Sequence, residues 1–234
     1  MRKIFLDTET TGLESKLGHR IVEIAAVEML NRRLTERRFH NYLNPEREVE
    51  AGALQVHGLT NDFLQDKPRF LDITCELLEF IDGAELIMHN APFDVGFLNN
   101  ELGLANLQPL ENYCHSITDT LKMAKELHPG KRNNLNALCE RYQINNSKRV
   151  LHGALLDAEL LAEVYLAITR GQESLVMEIS FPQADININP HDIELISLPA
   201  NTEELELHTE QLELIDRESK GACLWKHVES STTK

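Results

Sequence analysis

The chain has 234 residues, 42% of them hydrophobic, which is enough to bury one globular core and leaves some length for appended segments. Its first apolar run, Ile4-Phe5-Leu6, is too short for a signal-peptide core or a membrane span, so we expect a cytoplasmic protein with no membrane partner. The formal net charge of -15 argues against the basic surface that nucleic-acid-binding proteins usually present.

The acidic excess is unevenly distributed along the chain. Residues 171–234 hold 13 of the 38 acidic residues and 4 of the 23 basic residues, which gives this segment a net charge of -9. The remaining net charge of -6 falls on residues 1–170, and divalent cations bound to carboxylates would reduce it further. The charge objection to a nucleic-acid substrate is therefore weakened but not removed.

The first part of the sequence predicts β-strands. Arg2 to Asp7 is apolar enough for a short buried strand, which the polar run Thr8 to Gly12 is expected to end, leaving Asp7 at the strand end. Apolar residues dominate 20–29, and a third run covers 34–43. The three residues Asn31-Arg32-Arg33 are short enough for a hairpin turn, so these two strands are predicted to be antiparallel.

From Glu50 onward a helical pattern alternates with a strand. One helix is predicted to end at Asp82-Gly83, a strand covers Glu85 to His89, and Pro92 suits the first turn of the next helix. A last long helix is predicted from about Gly153 to Thr169. A hairpin followed by β–α alternation indicates an α/β fold, in which helices pack on a mixed sheet.

The pattern changes after Gly171. The helical period is lost there, and prolines recur at 182, 190 and 199 among Asn and Asp residues. We interpret 1–170 as the folded domain, 171–199 as a linker and 200–234 as a largely flexible C-terminal tail. Within the tail, Glu203 to Glu218 is a candidate acidic helix, and Trp225 is the single tryptophan of the chain.

Four carboxylates form the candidate catalytic set. Asp7 and Glu9 are two residues apart in an extended segment, so both side chains share a face and can reach one cation, although such a pair alone is more often solvated. Asp94 follows a strand-to-helix junction, where a carboxylate that complements the helix dipole is the alternative. Asp157 lies at an otherwise apolar helix end, where a buried carboxylate requires a partner.

His152 is the candidate general base. In one regular helix, the side chains of His152 and Asp157 would point about 140° apart. We therefore place His152 in the loop before the helix, where it can accept a proton from water; a surface histidine that caps the loop is the alternative. Four carboxylates can hold two divalent cations roughly 4 Å apart, an arrangement that hydrolyses phosphodiesters.

Three segments resemble known exonuclease motifs. Phe5 to Gly12, His89 to Asp94 and His152 to Ala158 are similar to the three motifs of the DEDD exonuclease superfamily, histidine subtype. This resemblance implies a ribonuclease H-like fold, with a mixed five-stranded sheet flanked by helices, and release of nucleoside 5′-monophosphates from a 3′ end. It also implies two Mg²⁺ or Mn²⁺ ions held by a catalytic set with His152 as base: Asp7, Glu9, Asp94 and Asp157.

The same resemblance implies contacts to the substrate. Thr8, Thr10 and Leu13 match positions that hold the terminal nucleotide through backbone, hydroxyl and apolar contacts, with ordinary packing as the alternative for Leu13. His57 is a candidate substrate contact, for which a structural histidine is an equally good interpretation. Asp119 matches an acidic position near the site and is expected to support the ligands rather than to be one.

Three further segments narrow the resemblance to the proofreading epsilon subunits of bacterial DNA polymerase III: Val56 to Thr60, Pro129 to Leu135 and Lys220 to Trp225. This narrower resemblance implies a single-stranded or frayed DNA 3′ end as substrate. It further implies that the tail, with Leu224 and Trp225, binds the polymerase III alpha subunit, and a small third core subunit is another candidate partner.

The linker contains a second candidate interaction element. Gln172, Leu175 and Met177 resemble a sliding-clamp binding peptide, although Met177 replaces the aromatic residue often found at its end.

Two other functions are compatible with parts of the sequence. An RNA-trimming exoribonuclease shares the carboxylates, but the long acidic tail argues against it. A scaffold that tethers polymerase to clamp would not need the intact catalytic set.

Overall fold

A single mixed sheet forms the centre of the fold. The computed structural model describes residues 2–147, 149, 151–170, 199–219, 221 and 225. The strands lie in the order β3-β2-β1-β4-β5. The first three are antiparallel, and β4 and β5 continue the sheet parallel to β1. Their bounds are β1 Arg2–Thr10, β2 Ile21–Leu30, β3 Arg33–Tyr42, β4 Glu85–Met88 and β5 Ser116–Asp119.

Helices cover both faces of this sheet, because successive side chains of β1 alternate between two apolar layers. Ile4 and Leu6 pack in one cluster with α3 and α4, whereas Phe5 packs in another with α6 and α7. The helical bounds are α1 Ala51–His57, α2 Asn61–Leu64, α3 Phe70–Ile81, α4 Ala91–Leu104, α5 Thr120–Leu127, α6 Leu135–Tyr142, α7 Ala154–Ile168 and α8 Thr202–Glu218.

The predicted architecture is confirmed. The α/β class, the antiparallel hairpin, the helix that begins near Pro92 and the last long helix before residue 170 are all present. One strand boundary was wrong: β1 continues through the polar residues to Thr10, so Asp7 lies inside the strand and not at its end. The reason is that β2 continues to pair with β1 as far as Thr10 and Ile21.

The helix α8 belongs to a second compact unit, separate from the unit that contains the sheet. Its N-terminus has a capping box, in which the side chain of Asn201 accepts from Glu204 N and the Glu204 carboxylate accepts from Asn201 N. Of the helices in the described part of the chain, none is both long and apolar enough to cross a membrane.

Candidate active site

Asp7 and Glu9 project from β1 toward α7. They share the face of Phe5, whose side chain packs with α7, because residues two apart in a strand point the same way. The parallel pairing of β1 with β4 stops at Phe5, so the edge of β1 beyond that point is open on the β4 side. Glu9 is buried, while Asp7 keeps some exposure.

Asp94 reaches the same place from the other side of the sheet. It lies in the first turn of α4, just after β4, and the hydroxyl of Thr8 donates a hydrogen bond to its Oδ1 at 2.7 Å. Asn90, at the start of this helix, adopts a left-handed backbone with φ 70°, and its N–H donates to Oδ1 of Asp119. Asp119 also caps α5, so it fixes the segment that carries Asp94, as expected of a supporting residue.

Asp157 and His152 complete the group from the C-terminal end of the domain. Asp157 lies in the first turn of α7, and His152 precedes that helix, as the angular argument requires. Nδ1 of His152 is 3.5 Å from Oδ2 of Asp157. The backbone N–H of His152 donates to the carbonyl of Val56 at 3.0 Å, which fixes this segment against α1.

The geometry is suitable for a metal ion. One potential ligand atom from each of Glu9, His152 and Asp157 lies within 4.8 Å of the other two. Asp7 and Asp94 line the same cleft of about 320 Å³, so all four predicted carboxylates and the predicted base converge. Carboxylate oxygens are the ligands that hard divalent cations prefer.

Burial and mutual repulsion raise the pKa of carboxylates in the cleft. Burial, reinforced by the carboxylate of Asp94, raises the pKa of Asp7 well above its ordinary value. Burial and the charge of Asp157 raise the pKa of Glu9 to about 8. Burial raises the pKa of Asp94 to about 7, although the hydrogen bond from Thr8 opposes the shift. Without added cations, protons therefore neutralise part of this cluster near neutral pH.

Arg149 supplies one positive charge, and sequence reasoning missed it. Its guanidinium donates to both oxygens of Asp157, each at 2.5 Å, and to Nδ1 of His152 at 2.9 Å. Burial, followed by the charge of Arg149, lowers the pKa of His152 and so favours its neutral form. A basic residue three positions before the candidate base was the available signal, but spacing alone does not reveal which carboxylate it contacts.

Glu23 is a second functional candidate that sequence reasoning missed. It lies opposite Glu9 in the β1–β2 register, is buried, and its Oε1 is 2.8 Å from Nε2 of His40. Its charge contributes to the raised pKa of Glu9. The signal in the sequence was a carboxylate between the apolar residues Val22 and Ile24, a position that is costly without a partner.

The comparisons with known proteins agree with this geometry. An exonuclease family model matches residues 4–165. The DNA polymerase III subunit epsilon of Pasteurella multocida is 48% identical, over 96% of this chain and 93% of its own length. The chain belongs to the DNA polymerase III epsilon subunit family. It is a 3′-to-5′ exonuclease, as the motif resemblance predicted.

Solved structures share the fold. Exonuclease X, in complex with 5′ overhanging duplex DNA, is 26% identical with a TM-score of 0.57, over 73% of this chain and 91% of its own. The nuclease domain of 3′hExo, described as a DEDDh family member bound to rAMP, is 18% identical with a TM-score of 0.63, over 74% of this chain and 92% of its own. The predicted five-stranded exonuclease fold is thus confirmed.

The epsilon-family chain has a second cleft beside the carboxylates. It measures about 390 Å³ and is lined by residues that include Thr8, Thr10, Leu13 and His57, so the four predicted substrate contacts lie together. Leu13 is 80% exposed and offers an apolar surface at the cleft. His57 is buried; its Nδ1 accepts from Leu59 N at 3.0 Å, and its Nε2 has no hydrogen-bond partner among the described residues.

The predicted partner contacts are only partly visible. Trp225 is 66% exposed, which is compatible with a role in binding a partner. The other predicted partner-binding residues fall outside the described residues: Gln172, Leu175, Met177 and Leu224.

Proposed function

We propose that the chain removes mispaired 3′-terminal nucleotides from DNA as the proofreading subunit of a replicative polymerase. It does so by phosphodiester hydrolysis at a site for two divalent cations, Mg²⁺ or Mn²⁺. The observation that carries this proposal is the convergence of four carboxylates, from β1, α4 and α7, on one cleft beside His152. The proposed ligands are Asp7, Glu9, Asp94 and Asp157.

The residues of the cleft fit such cations. Burial raises the pKa of three of the four carboxylates, and repulsion between neighbouring carboxylates adds to the shift for Asp7 and Glu9, which supports a site that divalent cations would stabilise. The fourth, Asp157, already holds one cationic group, because the guanidinium of Arg149 donates to both of its oxygens. Bound divalent cations would polarise the phosphate and lower the pKa of an attacking water.

His152 is the proposed general base. It lies beside Asp157 at the mouth of the cleft with 46% of its side chain exposed, so water can reach it. Its lowered pKa keeps the imidazole neutral at neutral pH, and a neutral imidazole can accept the proton of the attacking water. The water oxygen bonds to phosphorus, the bond from phosphorus to the 3′ oxygen breaks, and a nucleoside 5′-monophosphate leaves.

The second cleft is the proposed site of the terminal nucleotide. The two clefts share Thr8, Glu9 and Phe93, so a nucleotide seated beside Leu13 places its phosphate near the carboxylates. A mismatched primer end melts at lower cost and so enters the cleft more readily, which makes it the preferred substrate. His57 lines this cleft and has a buried Nε2 without a hydrogen-bond partner among the described residues, so we propose it as a further contact to the nucleotide.

The C-terminal segments are proposed to connect the nuclease with its partners. We assign 1–170 to the exonuclease domain, 171–199 to a linker with a sliding-clamp binding peptide, and 200–234 to the part that binds the polymerase III alpha subunit. The similarity to the Pasteurella multocida epsilon subunit extends over nearly the whole chain and so supports a role for these segments. Trp225, large and exposed, is the proposed anchor. A small third core subunit is a further candidate partner.

The nuclease assignment is tested with a DNA primer that ends in a 3′ mismatch, a matched primer and an RNA oligomer, each with and without Mg²⁺. Asp7→Asn is expected to reduce the rate roughly 100-fold or more, because it removes a cation ligand. Asp62→Asn, at an exposed position in α2, serves as the control with the same charge change. Equal rates for the two variants would refute the metal assignment, and a preference for RNA would favour the exoribonuclease alternative.

The tail assignment is tested in the full-length chain. Trp225→Ala is expected to weaken binding to the polymerase III alpha subunit while the exonuclease rate on a free primer stays unchanged. Leu104→Ala, which removes an exposed apolar side chain from α4, is the matched control. Unchanged polymerase affinity in the Trp225 variant would contradict the anchor role.

A further inference from the structure

Arg149 is bound to Asp157, which is one of the proposed cation ligands. Its guanidinium bonds to both carboxylate oxygens of Asp157, and the two side chains are 6% and 5% exposed. We propose that Arg149 is a positioning residue that competes with the divalent cation for Asp157 and holds His152 until the cation displaces it. This inference rests on the proposed metal site.

The first step of the argument is the occupancy of Asp157. A carboxylate that accepts one hydrogen bond on each oxygen from the same guanidinium presents no free oxygen toward a cation on that side. The guanidinium and a metal ion that approaches Asp157 from that side are therefore alternatives. Asp7, Glu9 and Asp94 do not hydrogen-bond to Arg149, so a cation can approach them first and then compete for Asp157.

The second step concerns His152. A guanidinium has donors and no acceptor, so Nδ1 of His152 must accept the bond from Nη2 of Arg149. In a neutral imidazole with an acceptor Nδ1, the proton is on Nε2. Neither ring nitrogen is then available to receive a proton from water. Release of Arg149 frees Asp157 to bind a cation and His152 to act as base in a single movement.

The third step is that Arg149 has another partner. Nη1 donates to the side-chain oxygen of Asn136 at 2.7 Å, at the start of α6. Asn136 is exposed, so this contact lies at the outer side of the group. A divalent cation brings one more positive charge than the guanidinium to a cluster that lacks positive charge. The neighbouring carboxylates therefore favour replacement of the guanidinium by the divalent cation on Asp157. Arg149 sets the metal concentration at which this replacement occurs.

The test is a calorimetric titration of the metal-free full-length chain with Mn²⁺. Arg149→Gln is expected to bind Mn²⁺ at least tenfold more tightly than the wild type, because no competitor has to be displaced. Arg149→Lys is expected to lie between the two, because an ammonium cannot occupy both oxygens in the planar geometry of a guanidinium. Arg141→Gln, with the same charge change but contacts to Asn133 and Arg132, is expected to stay within twofold of the wild type.

The possible results separate the two proposals. Unchanged or weaker Mn²⁺ binding in both Arg149 variants would overturn the competition, since a residue that only stabilised the fold would give that result. Equal tightening in Arg149→Gln and Arg141→Gln would also overturn it, because the effect would then be one of net charge. If Arg149→Gln does not fold, tightening in Arg149→Lys decides the question. Absence of Mn²⁺ binding by the wild type and by both Arg149 variants would overturn the metal site itself.

A second measurement does not depend on affinity. In the metal-free chain, the Nε–H proton of Arg149 is expected to give a slowly exchanging NMR signal, because that group donates to a buried carboxylate. Mg²⁺ is expected to remove this signal. Its persistence at saturating Mg²⁺ would show that cation and guanidinium bind together, which contradicts the inference.

Discussion

Replacing Glu9 by glutamine is expected to change the way in which the stability of the metal-free chain depends on pH. Glu9 is buried, and its pKa is raised from 4.5 to about 8 in the folded state by burial and by neighbouring carboxylates. Between these two values the unfolded chain releases the proton of Glu9 and the folded chain retains it. The free energy of unfolding therefore falls as pH rises from about 4.5 to about 8.

The size of the effect follows from the two pKa values. At a slope of about 1.4 kcal/mol per pH unit and per proton, the retained proton lowers the unfolding free energy by about 2 kcal/mol between pH 6 and pH 8. Glutamine cannot ionise and does not contribute this loss. Relative to the wild type, Glu9→Gln is thus expected to gain about 2 kcal/mol of stability between the two pH values.

Urea unfolding in EDTA at pH 6 and pH 8, followed by circular dichroism, measures this difference. Tryptophan fluorescence is a poor probe here, because the single tryptophan, Trp225, lies outside the unit that contains the sheet. Glu48→Gln, at an exposed position, is the control and is expected to show the pH dependence of the wild type. Parallel pH dependence of wild type and Glu9→Gln would refute the reasoning, since Glu9 would then be ionised in the folded state at pH 6.

Two further variants test the surroundings of the site. Thr8→Val removes the 2.7 Å hydrogen bond to Asp94 and is expected to weaken Mn²⁺ binding about tenfold, as measured by calorimetry; unchanged affinity would show that Thr8 does not orient this carboxylate. Gly12→Ala would place its Cβ 2.4 Å from the ring of His19, so a loss of about 2 kcal/mol is expected in urea unfolding. In Gly103→Ala the new Cβ meets no atom within 4 Å, and a loss of similar size in that variant would contradict the steric explanation.

Local sequence pattern was sufficient for most of the secondary structure. Alternation along β1 correctly placed Asp7 and Glu9 on one face, and the angle between residues 152 and 157 correctly excluded a common helix. The end of β1 was predicted wrongly, because polar residues at Thr8 and Thr10 suggested a turn. Pairing with β2 extends the strand despite these polar residues. The local sequence of β1 does not indicate which strand will pair with it.

The sequence by itself determined which chemical groups were available and the family of exonucleases that uses them. Only the tertiary structure added Glu23 and Arg149 to the four carboxylates and the histidine that the sequence had predicted. The short pairing of β4 leaves the edge of β1 open to Asp94, and the register of β2 adds Glu23 to the group. Arg149 illustrates the reason: periodicity fixes the face on which a side chain lies, but contacts between distant segments depend on strand order and register, which are properties of the whole fold.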